Sequence, residues 1–188
     1  MHRIHAYYLL TLLLLCLLVS PEVRAQQPSD RFNPEAPDMN YLIQLTHDRI
    51  NSFRQKKKIA ALSLHDDLNA AALLHADYLK KKGKLDHFQN KAQFRTPVER
   101  VGHYNREFKY IGENVAYVSV ATIQIRGKSE EMIYKTCQEM TEELVTNWLK
   151  SKPHLKNISD KTYTHTGIAL VYDSAKSRIY AVQVFAAR

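Results

Sequence analysis

The sequence predicts an α/β protein, a three-layer α/β/α sandwich built on a mostly antiparallel central sheet. Segments with helical periodicity occupy the chain up to residue 150, and two short runs rich in β-branched and aromatic residues follow near the C-terminus. The last of these runs is apolar on both faces, and such a strand is covered on both sides. Helices followed by strands that need two covers favour helical layers on both faces of one sheet.

Four helices are expected. The first begins after Asp38, a favoured N-cap residue, and the second covers residues 66–82 and ends at Gly83. The third covers 97–102 and the fourth covers 130–150. The side chains predicted to face the core recur every three or four residues and include Leu42, Leu45, Ile50, Phe53, Leu68, Ala71, Ala72, His75, Leu79, Cys137 and Trp148.

Two strands are expected at residues 163–172 and 178–186, joined by 173–177 as a β-hairpin. Gln183 is the single polar side chain on its otherwise apolar face of the second strand. Two interpretations remain open for it, a buried hydrogen-bonding residue or part of a cavity wall.

The first 25 residues read as a cleavable secretory signal peptide. An apolar run of 13 residues, 7–19, is interrupted only by Thr11 and is shorter than the roughly 20 residues that a membrane-spanning helix needs. Cleavage is expected after Ala25, and Cys16 lacks the context of a lipid attachment site. Residues 26–37, with three prolines, are predicted to be a flexible linker, and residues 38–188 to be one domain. The protein is thus expected to be secreted, either to the periplasm or to the medium.

Composition limits the function classes. Signal cleavage removes Cys16 and leaves Cys137 alone, so an internal disulfide is excluded and packing must supply stability. The formal charge of the chain is +8, with lysines clustered at 56–58 and 80–84, near predicted helix ends. Cations there suit the helix dipole, although attraction to an anionic envelope polymer is the alternative. Nucleic acid is disfavoured, since no recognition motif is present.

Four segments, in order, resemble the CAP superfamily, the domain shared by cysteine-rich secretory proteins, wasp antigen 5 and plant pathogenesis-related proteins. Without disulfides, the chain resembles the bacterial branch. The segments are Ile50-Asn51-Ser52-Phe53-Arg54, with the following helix and Asp86-His87-Phe88; Gly112-Glu113-Asn114-Val115-Ala116; residues 148–158, from Trp148 to Ile158; and Gly167-Ile168-Ala169 with residues 180–185. The resemblance implies an α/β/α sandwich, in agreement with the periodicity.

The resemblance also implies a central cavity lined by two histidines and acidic residues, in which some members bind a divalent metal such as zinc. Carried over by position, His87 and His154 are the cavity histidines and Glu113 is the cavity glutamate, with Asn114 and Gln183 as supporting residues. Two imidazoles and one carboxylate are a familiar open zinc set. The family's second glutamate corresponds to Ser151 here, which predicts weaker metal binding.

Plainer interpretations accompany these residues. His87 on its own is a surface histidine after a helix, which Asp86 could orient. Glu113 could cap or pair at the start of a strand, and Asn114 could fill a turn. His75 lies on the apolar stripe of the second helix, so a core histidine satisfied by a hydrogen bond is expected rather than a ligand.

Three functions follow as hypotheses. The first is an exported binding module that engages a ligand or partner, a lipid among them, at the cavity. The second is a metal-assisted hydrolase, a peptidase or esterase, with Glu113 as base. The third is a structural envelope or host-interaction protein with an unused cavity. Serine-hydrolase, zincin and phosphate-loop motifs are absent from the sequence.

Overall fold

The computed structural model of the protein describes residues 26–188. The predicted signal peptide, residues 1–25 with Cys16, lies outside the described residues. Within 26–188, no helix has the length and apolar character needed to cross a membrane.

Five α-helices and six strands form the described chain. In order they are α1 (Met39–Lys56), β1 (Ser63–Leu64), α2 (Asp66–Lys82), α3 (Pro97–Tyr104), β2 (Tyr110–Ser119), β3 (Ala121–Arg126), β4 (Ser129–Tyr134), α4 (Cys137–Lys150), α5 (Lys152–Ser159), β5 (His165–Asp173) and β6 (Arg178–Ala187).

The central sheet has the strand order β1-β5-β6-β2, and β3 pairs with β4 in a separate two-stranded sheet. β5, β6 and β2 are antiparallel to their neighbours, whereas the two residues of β1 run parallel to β5. The predicted mostly antiparallel sheet is therefore confirmed, and the sheet as a whole is mixed. The predicted hairpin is β5–β6, joined by a 3₁₀ turn at Ser174–Lys176.

Two hydrophobic clusters, one on each face of the sheet, give the three layers. One cluster packs α1, α4 and α5 against the sheet around Trp148, which is fully buried, and it includes Cys137. The other packs α2 and α3 against the opposite face and includes Val182 and Val184 of β6. β6 is buried along almost its whole length, as predicted from its two apolar faces.

Helix α2 begins and ends where the sequence predicted. Gly83 terminates it in the left-handed conformation with φ of 71°. Gly167 of β5 lets the helix approach the sheet closely, since a Cβ atom there would lie 2.1 Å from the backbone carbon of Leu68. The side chain of Asn69 uses this closeness, accepting a hydrogen bond from the backbone N–H of Ile168 at 3.0 Å.

The predicted start of the fourth helix is wrong. Residues 129–134 form strand β4, which pairs with β3 across a turn at Gly127, whose φ is 67°. The helix begins at Cys137, where Thr136 and Glu139 form a capping box. Pro153 lies in the first turn of α5, where proline needs no N–H donor. It marks the entry to a new helix.

Residues 26–37, predicted as a linker, contact the domain. Phe32 is buried in the core beside Tyr172, with ring centroids 4.9 Å apart. Arg31 forms an isolated β-bridge with Thr136, and the carbonyl of Asp30 accepts a hydrogen bond from the N–H of Cys137. This segment thereby supplies partners for the start of α4.

Arg54, near the C-terminal end of α1, is fully buried and donates hydrogen bonds to four backbone carbonyls. Its acceptors are Ala60 at 2.8 Å, Ile158 at 2.8 Å, Asp160 at 3.0 Å and Tyr163 at 3.1 Å. One guanidinium therefore joins the end of α1 to the end of α5 and to the loops that follow both helices.

Candidate functional site

The candidate site lies at β2, the edge strand of the sheet. Successive side chains of a strand point to opposite faces. Glu113 accordingly contacts the α2–α3 layer, whereas Asn114 contacts α5. Both side chains are buried. Two neighbouring residues of one strand thus form hydrogen bonds with the two helical layers, one residue with each layer.

The carboxylate of Glu113 contacts two basic side chains. Arg100 of α3 donates from Nη2 to Oε2 at 2.6 Å, and both side chains of this pair are 1% exposed. The Nδ1 atom of His87, in the loop after α2, lies 2.9 Å from Oε1, and the His87 side chain is 45% exposed. His87 therefore extends from a buried ion pair to solvent.

His75 of α2 completes the buried side of the site. Its Nε2–H donates to the carbonyl of Asp86 at 2.8 Å, and its Nδ1 accepts from the side chain of Gln89 at 3.0 Å. The same Nε2 atom lies 3.6 Å from Oε1 of Glu113. His75 is thus the satisfied core histidine that the sequence predicted, and it lies beside the carboxylate.

His154 approaches from the other layer. It is half-buried in the first turn of α5, and its backbone carbonyl accepts a hydrogen bond from Asn114 at 3.2 Å. Asn157, one turn later, donates to the side-chain oxygen of Asn114 at 2.9 Å and to the carbonyl of Glu113 at 3.1 Å. These contacts fix the start of α5 against β2.

The histidines of the site have opposite pKa shifts. The pKa of His87 is raised, first by its hydrogen bond to Glu113, against the effect of burial. The pKa of His154 is lowered by burial and then by the positive charge of His87. Burial also lowers the pKa of His75. His87 thus favours the protonated form, whereas the other two favour the neutral form.

The predicted metal set of His87, Glu113 and His154 does not fit a three-ligand centre in this arrangement. Both carboxylate oxygens of Glu113 already accept hydrogen bonds. Among residues 26–188, no group of three or more His, Cys, Asp and Glu side chains is placed to hold a metal ion. Zinc binding stays a prediction. Ser151 lies between α4 and α5 with no side-chain capping bond.

Two further predictions concern supporting residues. Gln183 is fully buried and donates to Thr166 at 3.1 Å, while its Oε1 atom has no partner among the described residues. It is thus a buried hydrogen-bonding residue. Asp86, considered as an orienting partner for His87, instead binds Lys82 at 3.0 Å and the N–H of Phe88 at 3.0 Å. Glu113 orients His87.

Sequence reasoning did not find Arg100 or Gln89. Their roles depend on the loop between α2 and α3, which pattern analysis leaves unassigned. One signal was available for Arg100, because it stands beside Val101 on a short helix, at a position that turns toward the core. A charged residue at a core position indicates a buried partner.

The family comparison agrees with the fold. The model of the cysteine-rich secretory protein family, CAP, matches residues 47–185, which include His87, Glu113 and His154. The chain belongs to the CAP family. This CAP domain is 26% identical over 121 residues to YkwD of Bacillus subtilis (strain 168). The match includes 64% of the chain and spans 39% of the length of YkwD.

Solved structures of bacterial proteins share the fold of this CAP domain. An outer surface protein from Borrelia burgdorferi has a TM-score of 0.63 at 19% identity, with 80% of this chain and 96% of that chain covered. An extracellular protein from Bacillus anthracis that contains an SCP domain has a TM-score of 0.62 at 20% identity, with coverages of 85% and 45%.

Proposed function

We propose that this CAP-domain protein is an exported binding module that engages a ligand or partner at the predicted cavity of His87, Glu113 and His154. The observation that carries the proposal is the buried pair of Arg100 and Glu113, which holds the half-exposed ring of His87 through Nδ1. Within residues 26–188, Nε2 of His87 has no hydrogen-bond partner. A fixed imidazole with one available nitrogen lowers the ordering cost of binding.

The protonation preferences support a polar ligand. His87, with its raised pKa, favours a role as hydrogen-bond donor, whereas His154, with its lowered pKa, favours a role as acceptor. A ligand with an acceptor and a donor would complement the pair. Export is supported by the signal-like segment 1–25 and by relatives that are outer surface or extracellular proteins.

A divalent metal forms an optional part of the proposal. Zinc would be held by the imidazoles of His87 and His154, with Glu113 behind His87 as its orienting carboxylate, and would supply a Lewis acid when bound. The hydrolase alternative receives less support, because both oxygens of Glu113 accept hydrogen bonds and are poorly placed to take a proton.

A ligand-observed NMR screen of a defined metabolite and glycan library tests the binding proposal. Ligands of the site are expected to lose affinity about tenfold or more in His87→Ala and in His154→Ala, since each change removes a charged or polar contact. The control is His103→Ala, an exposed histidine on α3 that is not part of the predicted cavity. The proposal fails when no ligand depends on either His87 or His154.

Calorimetric titration with zinc alone tests the metal part in the same variants. Zinc binding by the native protein that is lost in His87→Ala and in His154→Ala and kept in His103→Ala would support it. An absence of zinc binding by the native protein would remove the metal and leave the binding module in place.

A further inference from the structure

The N-terminus of α2 is capped by a histidine. His65 is the N-cap residue of this helix, and its Nδ1 atom accepts a hydrogen bond from the backbone N–H of Asp67 at 3.3 Å. A ring nitrogen of histidine accepts a hydrogen bond only while it carries no proton. Serine, threonine and asparagine, the common uncharged capping residues, have no such requirement. The cap of α2 therefore depends on a neutral imidazole.

The same short segment joins β1 to β5. The N–H groups of Ser63 and His65 donate to the carbonyls of Thr164 and Thr166, each at 3.0 Å. β1 has only two residues, and both are exposed. Short exposed segments of this kind open locally at a low cost in free energy. The pairing of β1 and the cap of α2 are thus expected to open together, because His65 takes part in both.

A second histidine lies beside the cap. The ring centroid of His165, the first residue of β5, is 5.8 Å from that of His65. Phe108 contacts both rings, at centroid distances of 5.1 Å and 5.5 Å. The guanidinium of Arg188 lies over the Phe108 ring, 5.5 Å from its centroid. We call these four residues the His65–His165 cluster.

The cluster is a poor environment for additional protons. Burial lowers the pKa of His165, and the positive charges of Arg188 and His65 lower it further. The His65 side chain is 24% exposed, so solvent reaches its ring. A proton on Nδ1 of His65 would remove the acceptor of the cap and would place a cation at the positive end of the α2 dipole.

Acidic groups near the cluster offset charge without preserving the cap. The carboxylate of Asp67 lies 3.8 Å from Nδ1 of His65, so a protonated ring would have a counter-ion. The N–H of Asp67 would nevertheless lose its acceptor on that ring. Asp66 lies in the first turn of α2, and Glu107 pairs with Arg188 at 3.3 Å. Protonation of His65 thus exchanges a helix cap for an ion pair.

We propose that the His65–His165 cluster is an acid-responsive switch, which holds β1 and the first turn of α2 on β5 at neutral pH and releases them below about pH 6.5. Proton uptake by His65 removes the cap. Proton uptake by His165 adds a positive charge beside His65 and Arg188. Each proton that only the released segment binds favours release by up to about tenfold per pH unit.

The switch is independent of the predicted cavity of His87, Glu113 and His154. Within residues 26–188, His65 and His165 have no hydrogen bond, ion pair or ring contact with these three residues. Release by acid is measured without a ligand. Failure of the binding proposal therefore leaves the switch unaffected, and failure of the switch leaves the binding proposal unaffected.

Amide hydrogen exchange of the secreted protein tests the switch, measured by NMR from pH 7 to pH 5 and corrected for intrinsic exchange rates. The opening equilibrium constant of residues 63–67 is expected to rise about tenfold over this range. Val182, a fully buried residue of β6, reports global unfolding and is expected to keep its protection. An equal rise at Val182 overturns the proposal, because acid would then unfold the whole domain. Opening of residues 63–67 that does not change with pH also overturns it.

Two variants assign the pH dependence to the cluster. His65→Ser supplies a capping oxygen that does not titrate, and the double variant His65→Ser/His165→Gln removes both imidazoles. The rise at residues 63–67 is expected to be smaller in His65→Ser and to stay within about twofold in the double variant. The control His103→Ala, which removes an exposed histidine of α3, is expected to keep the full rise. A double variant that opens with acid as the native protein does overturns the proposal.

Discussion

Arg100 and Glu113 form an ion pair at 2.6 Å, and each side chain is 1% exposed. Arg100 also donates to the carbonyls of His87 at 3.1 Å, Phe94 at 3.0 Å and Arg95 at 3.2 Å. The guanidinium therefore fixes both the carboxylate and the loop that carries His87. The position of half-exposed His87 therefore depends on a fully buried residue, Arg100.

Replacement of this arginine is expected to be strongly destabilising. Arg100→Met leaves the Glu113 carboxylate buried without its cation, and breaking a buried pair in this manner costs about 3–5 kcal/mol. Urea unfolding measures the change. Arg95→Met, an exposed arginine in the adjoining loop, is the control and should stay within about 0.5 kcal/mol. Similar stabilities for the two variants would contradict a structural role for the pair.

The titration of His87 should depend on Glu113. The hydrogen bond to Glu113 raises the pKa of His87 above its ordinary value of 6.5, and NMR titration of the ring protons should show this. In Glu113→Gln the pKa should fall, because the carboxylate charge is gone. His154 should titrate below 6.5 in the native protein, since burial lowers its pKa.

The sign for stability follows from this shift. A folded-state pKa above the unfolded value means that the folded protein binds the proton more tightly. The contribution of His87 to stability is therefore fully present below about pH 6.5 and is lost as pH rises through the folded pKa. Glu113→Gln should remove this part of the pH dependence. An unchanged His87 titration in that variant would show that the contact does not persist in solution.

Gly167→Ala tests the close approach of α2 to the sheet. The new methyl group would lie 2.1–2.4 Å from backbone atoms of Leu68 and Asn69, so the helix must move. Overpacking of this kind costs about 1–3 kcal/mol. Gly102→Ala is the control, because its Cβ meets nothing within 4 Å and alanine suits α3 better than glycine. In thermal unfolding, the melting temperature of Gly102→Ala should be at or above that of the native protein, and that of Gly167→Ala should be lower. A Gly167→Ala variant as stable as Gly102→Ala would refute the contact.

Arg54→Met should destabilise the C-terminal ends of α1 and α5 and the loops that follow them. The change leaves four backbone carbonyls without their donor, and each one that stays buried and unsatisfied costs about 1–3 kcal/mol. Hydrogen exchange should accelerate at residues 57–62 and 159–164. Arg49→Met, which removes only a half-exposed pair with Glu142, should change stability by less than about 1 kcal/mol. Protection that is equal in the two variants would argue against the role of Arg54.

The sequence predicted best where local chemistry determines structure. α2 has acidic residues in its first turn and a glycine at its end, so its bounds could be read directly. The bounds of β4 could not be read in this way, because Ile133 continues the helical spacing of Cys137 and Trp148, and the segment becomes a strand only through pairing with β3. The capping box formed by Thr136 and Glu139 is the sequence signal that would have placed the start of α4 correctly.

Some residues of the candidate site could be predicted from the sequence and others could not. His87, Glu113 and His154 were found through their order in a family pattern. The contacts of Glu113 with Arg100 and His75 were not found, since they join three different elements, α2, α3 and β2. Only the packing of α2 and α3 on one sheet face brings them together.

Because successive side chains of β2 face opposite helical layers, ligand binding at this strand would affect the stability of the whole domain. Glu113 belongs to one helical layer and Asn114 to the other, so a molecule held by both His87 and His154 would cross the sheet edge and clamp the layers together. Its binding free energy would add to global unfolding by mass action and would not be confined to local fraying. Occupancy could then be detected as a higher melting temperature from probes as distant as Trp148, in the core of the α4 side.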